Sequence, residues 1–383
     1  MKPALSFILL CIVLFNFSCK KSAYVTISGN LDSAENVKVR IVNHDFTIFY
    51  DSTIIKNGKY KLVAKLPGDG FYQLNFNSPV VNRKSWSHSI TFYAEDYQSY
   101  KVIATRPYYV LYDLYSVTST SSTQNKLSEY NKSYRDKRDS LAHKKQHYLN
   151  LASAALDNSK MKLYSAYVDT VSMVEDEISM CFLPVLHNFI KNNPQTIVTP
   201  YLISQATDLF ENYRLYKNVM DGLSATVKDS KYYDESSALL ASVKNYSIGA
   251  KAPPIYGNDI YGKPLQIDYK KKKVILIDFW ASYCGPCRDQ IPDLKALYNK
   301  YRQKGFDIVS VSIDENSKLW KNAVEEEHIP WTNISESVQQ EDSKNIKNFV
   351  IEQIPANYVV DGDGRFIARD ISLDKLGAVL EKL

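Results

Sequence analysis

Lys273-Val-Ile-Leu-Ile-Asp-Phe-Trp-Ala-Ser-Tyr-Cys-Gly-Pro-Cys-Arg288 is the stretch on which the reading of this chain turns. Val274 to Phe279 is apolar except for Asp278, the pattern of a central strand buried on both faces. The strand is expected to end at Trp280. After a short loop, a helix is expected to start near Cys284 and to run through Leu294, Leu297 and Tyr301. Cys284 then sits at a helix N-terminus, where unpaired N–H groups and the helix dipole favour a thiolate. The thiolate is the attacking species in thiol chemistry. Cys287 follows one turn later, within reach of Cys284 and less exposed. Such a pair suits attack by Cys284, a mixed disulfide with the substrate, and resolution by Cys287. Asp278 places an acid inside a buried strand, which is costly unless the group has a partner or a task.

Outward from this motif, the chain from about residue 247 to 383 alternates strands and helices in βαβ style. Residues 24–110 read differently. Tyr24 to Gly29 alternates in polarity, and Val37 to Val42 is a period-two strand. Asn57-Gly58 between two apolar runs predicts a hairpin. Pro67-Gly68-Asp69-Gly70 predicts a loop. Several short strands with regular turns suggest a small antiparallel β-sandwich. Ser116 to Thr123 reads as a linker. Residues 124–246 then read as an α-helical spacer. Its second helix is expected from Lys160 to Lys191, bent at Pro184, and further helices near 199–210, 212–222 and 232–245. His143 and His147 share a helical face, but Lys144 and Lys145 crowd them, and they are read as solvated. The fold class expected is therefore multi-domain.

The first nineteen residues read as targeting. Lys2 is a short positive start, and Ala4 to Phe17 is almost wholly apolar. That run is too short to span a membrane comfortably and suits an export signal. Phe17-Ser18-Cys19 at its end resembles a bacterial lipoprotein signal, which implies lipid on Cys19 as the first mature residue. Asn16 departs from the aliphatic residue usual there. Of five cysteines, Cys11 would leave with the signal and Cys19 would carry lipid. Cys181, in an apolar setting, reads as packing. That leaves Cys284 and Cys287, and a two-residue spacing reads as redox chemistry rather than a staple. A net charge of +5 over 383 residues forms no dense basic block, so nucleic acid is not expected as a partner. A zinc site would need two further ligands, and none stands near the pair.

The motif as a whole resembles the active-site strand, loop and helix of the thioredoxin superfamily, and Cys-Gly-Pro-Cys is thioredoxin's own tetrad. Gly249-Ala250-Lys251-Ala252-Pro253, Gly262-Lys263, Ile354-Pro355 and Asp361-Gly362-Asp363-Gly364 resemble the TlpA/ResA-like branch of exported thiol–disulfide oxidoreductases. The resemblance covers about residues 247–383. More loosely, the preceding strands and helices resemble the β domain and spacer found ahead of such modules in envelope lipoproteins. The resemblance implies an α/β thioredoxin-like fold and catalysis by Cys284 and Cys287. It implies that Asp278 relays protons beneath the pair, and that Pro355 is cis, with the backbone of Ile354 open to a substrate peptide. Trp280, Tyr283, Gly285 and Pro286 are expected to border the substrate. No cofactor beyond the redox-active disulfide is expected. Gln290 stands where this branch often has Glu, and Tyr283 where many relatives have Trp, so thiol pKa values do not carry over.

The function expected is that of an exported, membrane-tethered reductase of disulfides in envelope proteins, fed by a membrane thiol relay. Its expected place is the periplasm-facing side of a Gram-negative envelope, held by a lipid anchor. Two rivals are weighed. A peroxiredoxin-like peroxidase shares Ala252-Pro253, but Ala281 stands where its Thr would be. A binding or scaffold lipoprotein with a vestigial redox domain would explain the long non-redox part, but not the intact motif.

Overall fold

The computed structural model describes residues 22–31, 34–77, 89–104, 115–264 and 267–383. The expected export signal and Cys19 lie outside them. Two compact units divide between Asn192 and Asn193.

Among the described residues, the first unit opens with eight strands: β1 (Ala23–Asn30), β2 (Lys38–Val42), β3 (Phe49–Ile54), β4 (Lys59–Leu66), β5 (Gly70–Asn77), β6 (Ser89–Ala94), β7 (Ser99–Ala104) and β8 (Tyr115–Thr118). They form two sheets, ordered β4-β1-β7-β8 and β3-β2-β5-β6. Strict alternation along β4 sends Tyr60, Leu62, Ala64 and Leu66 inward. These side chains join Val25, Ile27, Val39, Ile41, Leu74 and Phe92 in one core between the sheets. The β-sandwich is not wholly antiparallel, because β1 and β7 run parallel. Nor does Asn57-Gly58 close a simple hairpin. Both residues have positive φ, 50° and 69°, as the tight two-residue turn requires. Only Lys56 and Lys59 pair across it, and the flanking strands β3 and β4 belong to different sheets. Part of the expected linker is strand β8, which pairs with β7.

Helices α1 (Ser122–Asp157), α2 (Met161–Met180) and α3 (Phe182–Asn192) complete this unit. The Ser121 hydroxyl caps α1 by accepting from the Gln124 N–H at 3.0 Å. The expected long second helix breaks at Cys181 rather than bending at Pro184. Pro184 falls in the first turn of α3, where its missing N–H costs nothing. Cys181 is buried and free, packed with Leu141 and Val174.

The second unit starts with α4 (Val198–Ile203), α5 (Leu209–Asp221), α6 (Ala225–Lys228) and α7 (Lys231–Val243). The expected helical region of 124–246 therefore divides between the two units. There follow β9 (Asn258–Asp259), β10 (Val274–Trp280), α8 (Gly285–Tyr301), β11 (Phe306–Ser312), α9 (Ser317–Glu326), β12 (Thr332–Ser335), α10 (Lys344–Phe349), β13 (Ala356–Asp361), β14 (Phe366–Arg369) and α11 (Leu373–Leu380). The six strands form one mixed sheet in the order β14-β13-β10-β11-β12-β9. β10 lies inside it, parallel to β11 and antiparallel to β13.

Because side chains alternate along a strand, β10 serves two cores. Val274, Leu276 and Trp280 face Ile291 and Leu294 of α8 and Leu376 and Leu380 of α11. Ile275, Ile277 and Phe279 face Phe349 and, from α5, Phe210. The Phe210 ring lies 6.1 Å from those of Tyr358 and Phe366. Each such buried side chain contributes about 1.5–3 kcal/mol.

Candidate active site

β10 delivers its C-terminal end to the N-terminus of α8, and the site forms at that junction. Cys284 is the N-cap of α8, in extended conformation, with Pro in the first turn. Pro286 suits that turn because its absent N–H would have had no helical partner. The Cys287 N–H donates to Cys284 Sγ at 3.2 Å. The helix end thus points a donor at the sulfur, the arrangement that favours a thiolate there when the pair is reduced. In this structure Cys284 and Cys287 form a disulfide, with Cα atoms 5.3 Å apart. Both cysteines are buried. Tyr283, Gly285 and Pro286 are exposed and rim the pair.

Asp278 shares its sheet face with Leu276 and Trp280, the face on which both cysteines pack. Surrounding protein strips water from its carboxyl and pushes its pKa up to about 6, while a hydrogen bond from Ser310 pulls the other way. The Ser310 hydroxyl donates to Asp278 Oδ2 at 3.0 Å. Ser310 in turn receives the Trp331 indole N–H at 2.9 Å. The residue Asp278 keeps partial solvent exposure, so a proton there has a way to water.

Trp280 was expected to border the substrate. It is 2% exposed, and its indole donates to Asn333 Oδ1 at 3.3 Å, an oxygen that also accepts from Trp320 at 2.7 Å. It packs beneath the site and supports its floor. Tyr283 is 64% exposed, with its hydroxyl accepting from Gln340 at 3.0 Å. The Ile354–Pro355 bond is cis. Ile354 packs against the same core cluster as the cysteines. Pro355 lines a cleft of about 340 Å³ together with Gln290, Glu352, Asn357, Arg369 and Ser372.

Asp314 is a residue the sequence reading passed over. It is buried at 3% exposure and grips the loop between β10 and α8. The Ser282 N–H donates to Oδ2 at 2.8 Å, and the Ser282 hydroxyl donates to Oδ1 at 2.6 Å. The Ser312 hydroxyl adds a third bond at 2.7 Å. Hydrogen bonds to a charged acceptor are the strong ones, so this carboxylate holds the residues just before Cys284 in place. On the other side, Arg288 of α8 pairs with Glu327 at 2.6 Å and Glu326 at 3.3 Å. The alternation Ile308-Val-Ser310-Val-Ser312-Ile-Asp314 was the available signal: polar groups at every second position of an otherwise apolar strand.

A mixed sheet with a dithiol at the first turn of the helix after a central strand defines a thioredoxin-like domain. Comparison with known proteins agrees. The Thioredoxin-like family matches residues 272–366. The thiol-disulfide oxidoreductase ResA of Bacillus cereus is 26% identical over 146 residues, covering 37% of this chain and 82% of that protein. ResA of Bacillus subtilis is 21% identical over 135 residues, covering 35% and 73%. Among solved structures, the thioredoxin domain of a thiol-disulfide oxidoreductase from Bacteroides vulgatus is 34% identical. It covers 36% of this chain and 96% of that one, with a TM-score of 0.33. The C-terminal domain belongs to the thioredoxin superfamily, and the protein is a protein-disulfide oxidoreductase similar to ResA.

Proposed function

We infer that the protein is a membrane-tethered reductase of disulfides in envelope proteins, and that Cys284 is its nucleophile. The observation that carries this reading is the disulfide at the start of α8 with the acid Asp278 on the sheet face beneath it, its pKa raised by burial. In the reduced enzyme the Cys284 thiolate attacks one sulfur of a substrate disulfide. A mixed disulfide forms, and the other substrate sulfur leaves as a thiolate. Cys287 gives its proton to Asp278, and its sulfur attacks Cys284 Sγ. The second substrate sulfur leaves, two electrons have passed to the substrate, and the Cys284–Cys287 disulfide remains. A membrane thiol relay then returns two electrons. Tyr283, Gly285, Pro286 and the backbone of Ile354 border the substrate segment.

The export signal and Ser18-Cys19 support a lipid anchor on Cys19, hence a periplasm-facing lipoprotein in a Gram-negative envelope. No helix among the described residues is long and apolar enough to cross a membrane. The direction of electron flow is tested by the reduction potential of the pair, measured on the chain from Ser22 onward against glutathione or dithiothreitol buffers. A value near the thioredoxin end, about −270 mV, supports a reductase. A value near the oxidising end, about −120 mV, makes the protein a disulfide donor instead.

A further inference from the structure

Asp278 is the end of a hydrogen-bonded chain with a fixed direction. An indole N–H can only donate, and that of Trp331 donates to Ser310 Oγ at 2.9 Å. A serine hydroxyl has one hydrogen. With Trp331 on its oxygen, Ser310 directs that hydrogen to Asp278 Oδ2 at 3.0 Å. Ser310 is 1% exposed and Trp331 6%, so water does not compete freely for these bonds. The Trp331 ring is itself held edge-on by Tyr298 of α8, with centroids 5.5 Å apart. The helix that carries the cysteines therefore also braces the group that orients Ser310.

Among the described residues, the other neighbours of Asp278 on this face are uncharged, and no nearby charge contributes to its shift. From β11 it meets Ser310, its direct partner across the ladder. From β13 it is paired with Asn357, whose amide is already engaged with the Ile371 backbone in both directions. From α8 the buried groups turned to this core are Cys287, Ile291, Leu294 and the uncharged phenol Tyr301. Arg288 is turned to Glu326 and Glu327 instead, and Asp289 and Asp293 are exposed. From α11 the buried residues are Leu376 and Leu380. Burial, which disfavours the carboxylate, is thus countered by one hydrogen bond.

We propose that Ser310, oriented by Trp331, is a positioning residue for proton transfer at the cysteine pair. Its hydroxyl keeps Asp278 able to exist as a carboxylate where burial disfavours the charge, and it decides which oxygen carries the proton. Oδ2 faces a donor, so the proton taken from Cys287 resides on Oδ1. The Cys287 S–H bond breaks and its proton joins Asp278 Oδ1. The electron pair left on sulfur forms the bond to Cys284 Sγ. The Cys284–substrate S–S bond breaks, and its pair leaves on the substrate thiolate. The proton on Oδ1 is later released to water. Without Ser310, burial alone would hold Asp278 protonated to higher pH, and the acceptor would be occupied when Cys287 needs it. This proposal rests on Asp278 being the acceptor, and the test separates the two.

The test follows the pH dependence of the resolving step in the mature chain. The reduced enzyme is mixed with a fluorescent peptide disulfide, and release of the second peptide thiol is timed from pH 5 to 9. Asp278→Asn, Ser310→Ala, Ser310→Thr and Trp331→Phe are compared with the natural chain. Ser310→Ala is expected to move the acidic limb upward by on the order of one pH unit, a tenfold loss of rate on that limb. Ser310→Thr, which keeps the hydroxyl, is expected to restore it, and Trp331→Phe to give a smaller shift in the same direction. If Asp278→Asn leaves the limb in place, Asp278 is not the acceptor and the underlying reading fails. If Asp278→Asn removes the limb while Ser310→Ala leaves it unmoved, Ser310 is a structural residue only and the proposal is overturned. Should Ser310→Ala not fold, Trp331→Phe decides, and an unshifted limb there overturns the orienting role.

Discussion

Asp278 is where burial and chemistry meet most directly, and its effect on stability has a definite sign. An unfolded aspartate titrates near 3.9, whereas burial raises this one to about 6. Between those values the folded chain holds a proton that the unfolded chain has released. Stability therefore falls as pH rises through that window, and the penalty is complete above about pH 6. Asp278→Asn removes it, since the amide resembles the protonated acid and its oxygen can still accept from Ser310. The expected gain at pH 7.5 is about 1–3 kcal/mol, the lower end reflecting partial exposure. It should vanish below pH 4. Urea unfolding of the variant at both pH values checks this, and an equal gain at both would refute burial of the charge as its source. The same substitution is expected to slow resolution, a stabilising change with a functional cost. Asp278 was legible in the sequence because a lone acid in an apolar run has few bland explanations. Asp314 is harder to read: the alternation of Ser310, Ser312 and Asp314 marks a polar face, but the partner that gives the carboxylate its task, Ser282, stands 32 residues away in sequence.

The elements show the same division. β10 and α8 were readable from the apolar run, the loop and the helical spacing, since each is determined by neighbours in sequence. The parallel pairing of β1 with β7 was not, because alternation gives a strand its faces but not its partners. The break at Cys181 was placed too late, at Pro184, although a proline in a first turn needs no bend. β9 offers a prediction of its own. It is a two-residue edge strand paired with β12, and the residue before it, Gly257, has φ 118°. A Cβ there would lie 2.5 Å from the Ser335 carbonyl oxygen, a backbone atom that cannot step aside. Gly257→Ala is expected to cost roughly 1–3 kcal/mol through strain and lost pairing. Amide exchange in β12 should quicken, while the reduction potential of the cysteines, which follow β10 two strands inward from β12, stays unchanged. A shifted potential would mean that this edge and the site are coupled.

At the scale of the whole molecule, the useful question is where the redox unit begins. Sequence resemblance starts it near residue 247, because the motifs end there. The packing starts it near Asn193, because a sheet with two apolar faces needs cover on both. On the face away from the cysteines, part of that cover is Phe210 of α5, set among Ile275, Ile277, Phe279 and Phe366. The Ile248 N–H also donates to the Phe210 carbonyl at 3.0 Å, fixing the entry to the domain. No motif advertises a helix whose task is to fill a surface. Two fragments separate the alternatives. Residues 193–383 should unfold cooperatively and keep the full chain's reduction potential to within about 30 mV, equivalent to about 1.4 kcal/mol. Residues 247–383 should retain the dithiol but lose stability and bind a hydrophobic dye, because the Phe210 side of the sheet is bared. Within the full chain, Phe210→Ala should cost about 3–5 kcal/mol by leaving a cavity there. Equal melting temperatures for the two fragments would place the boundary at 247 and reduce the helices between to a tether.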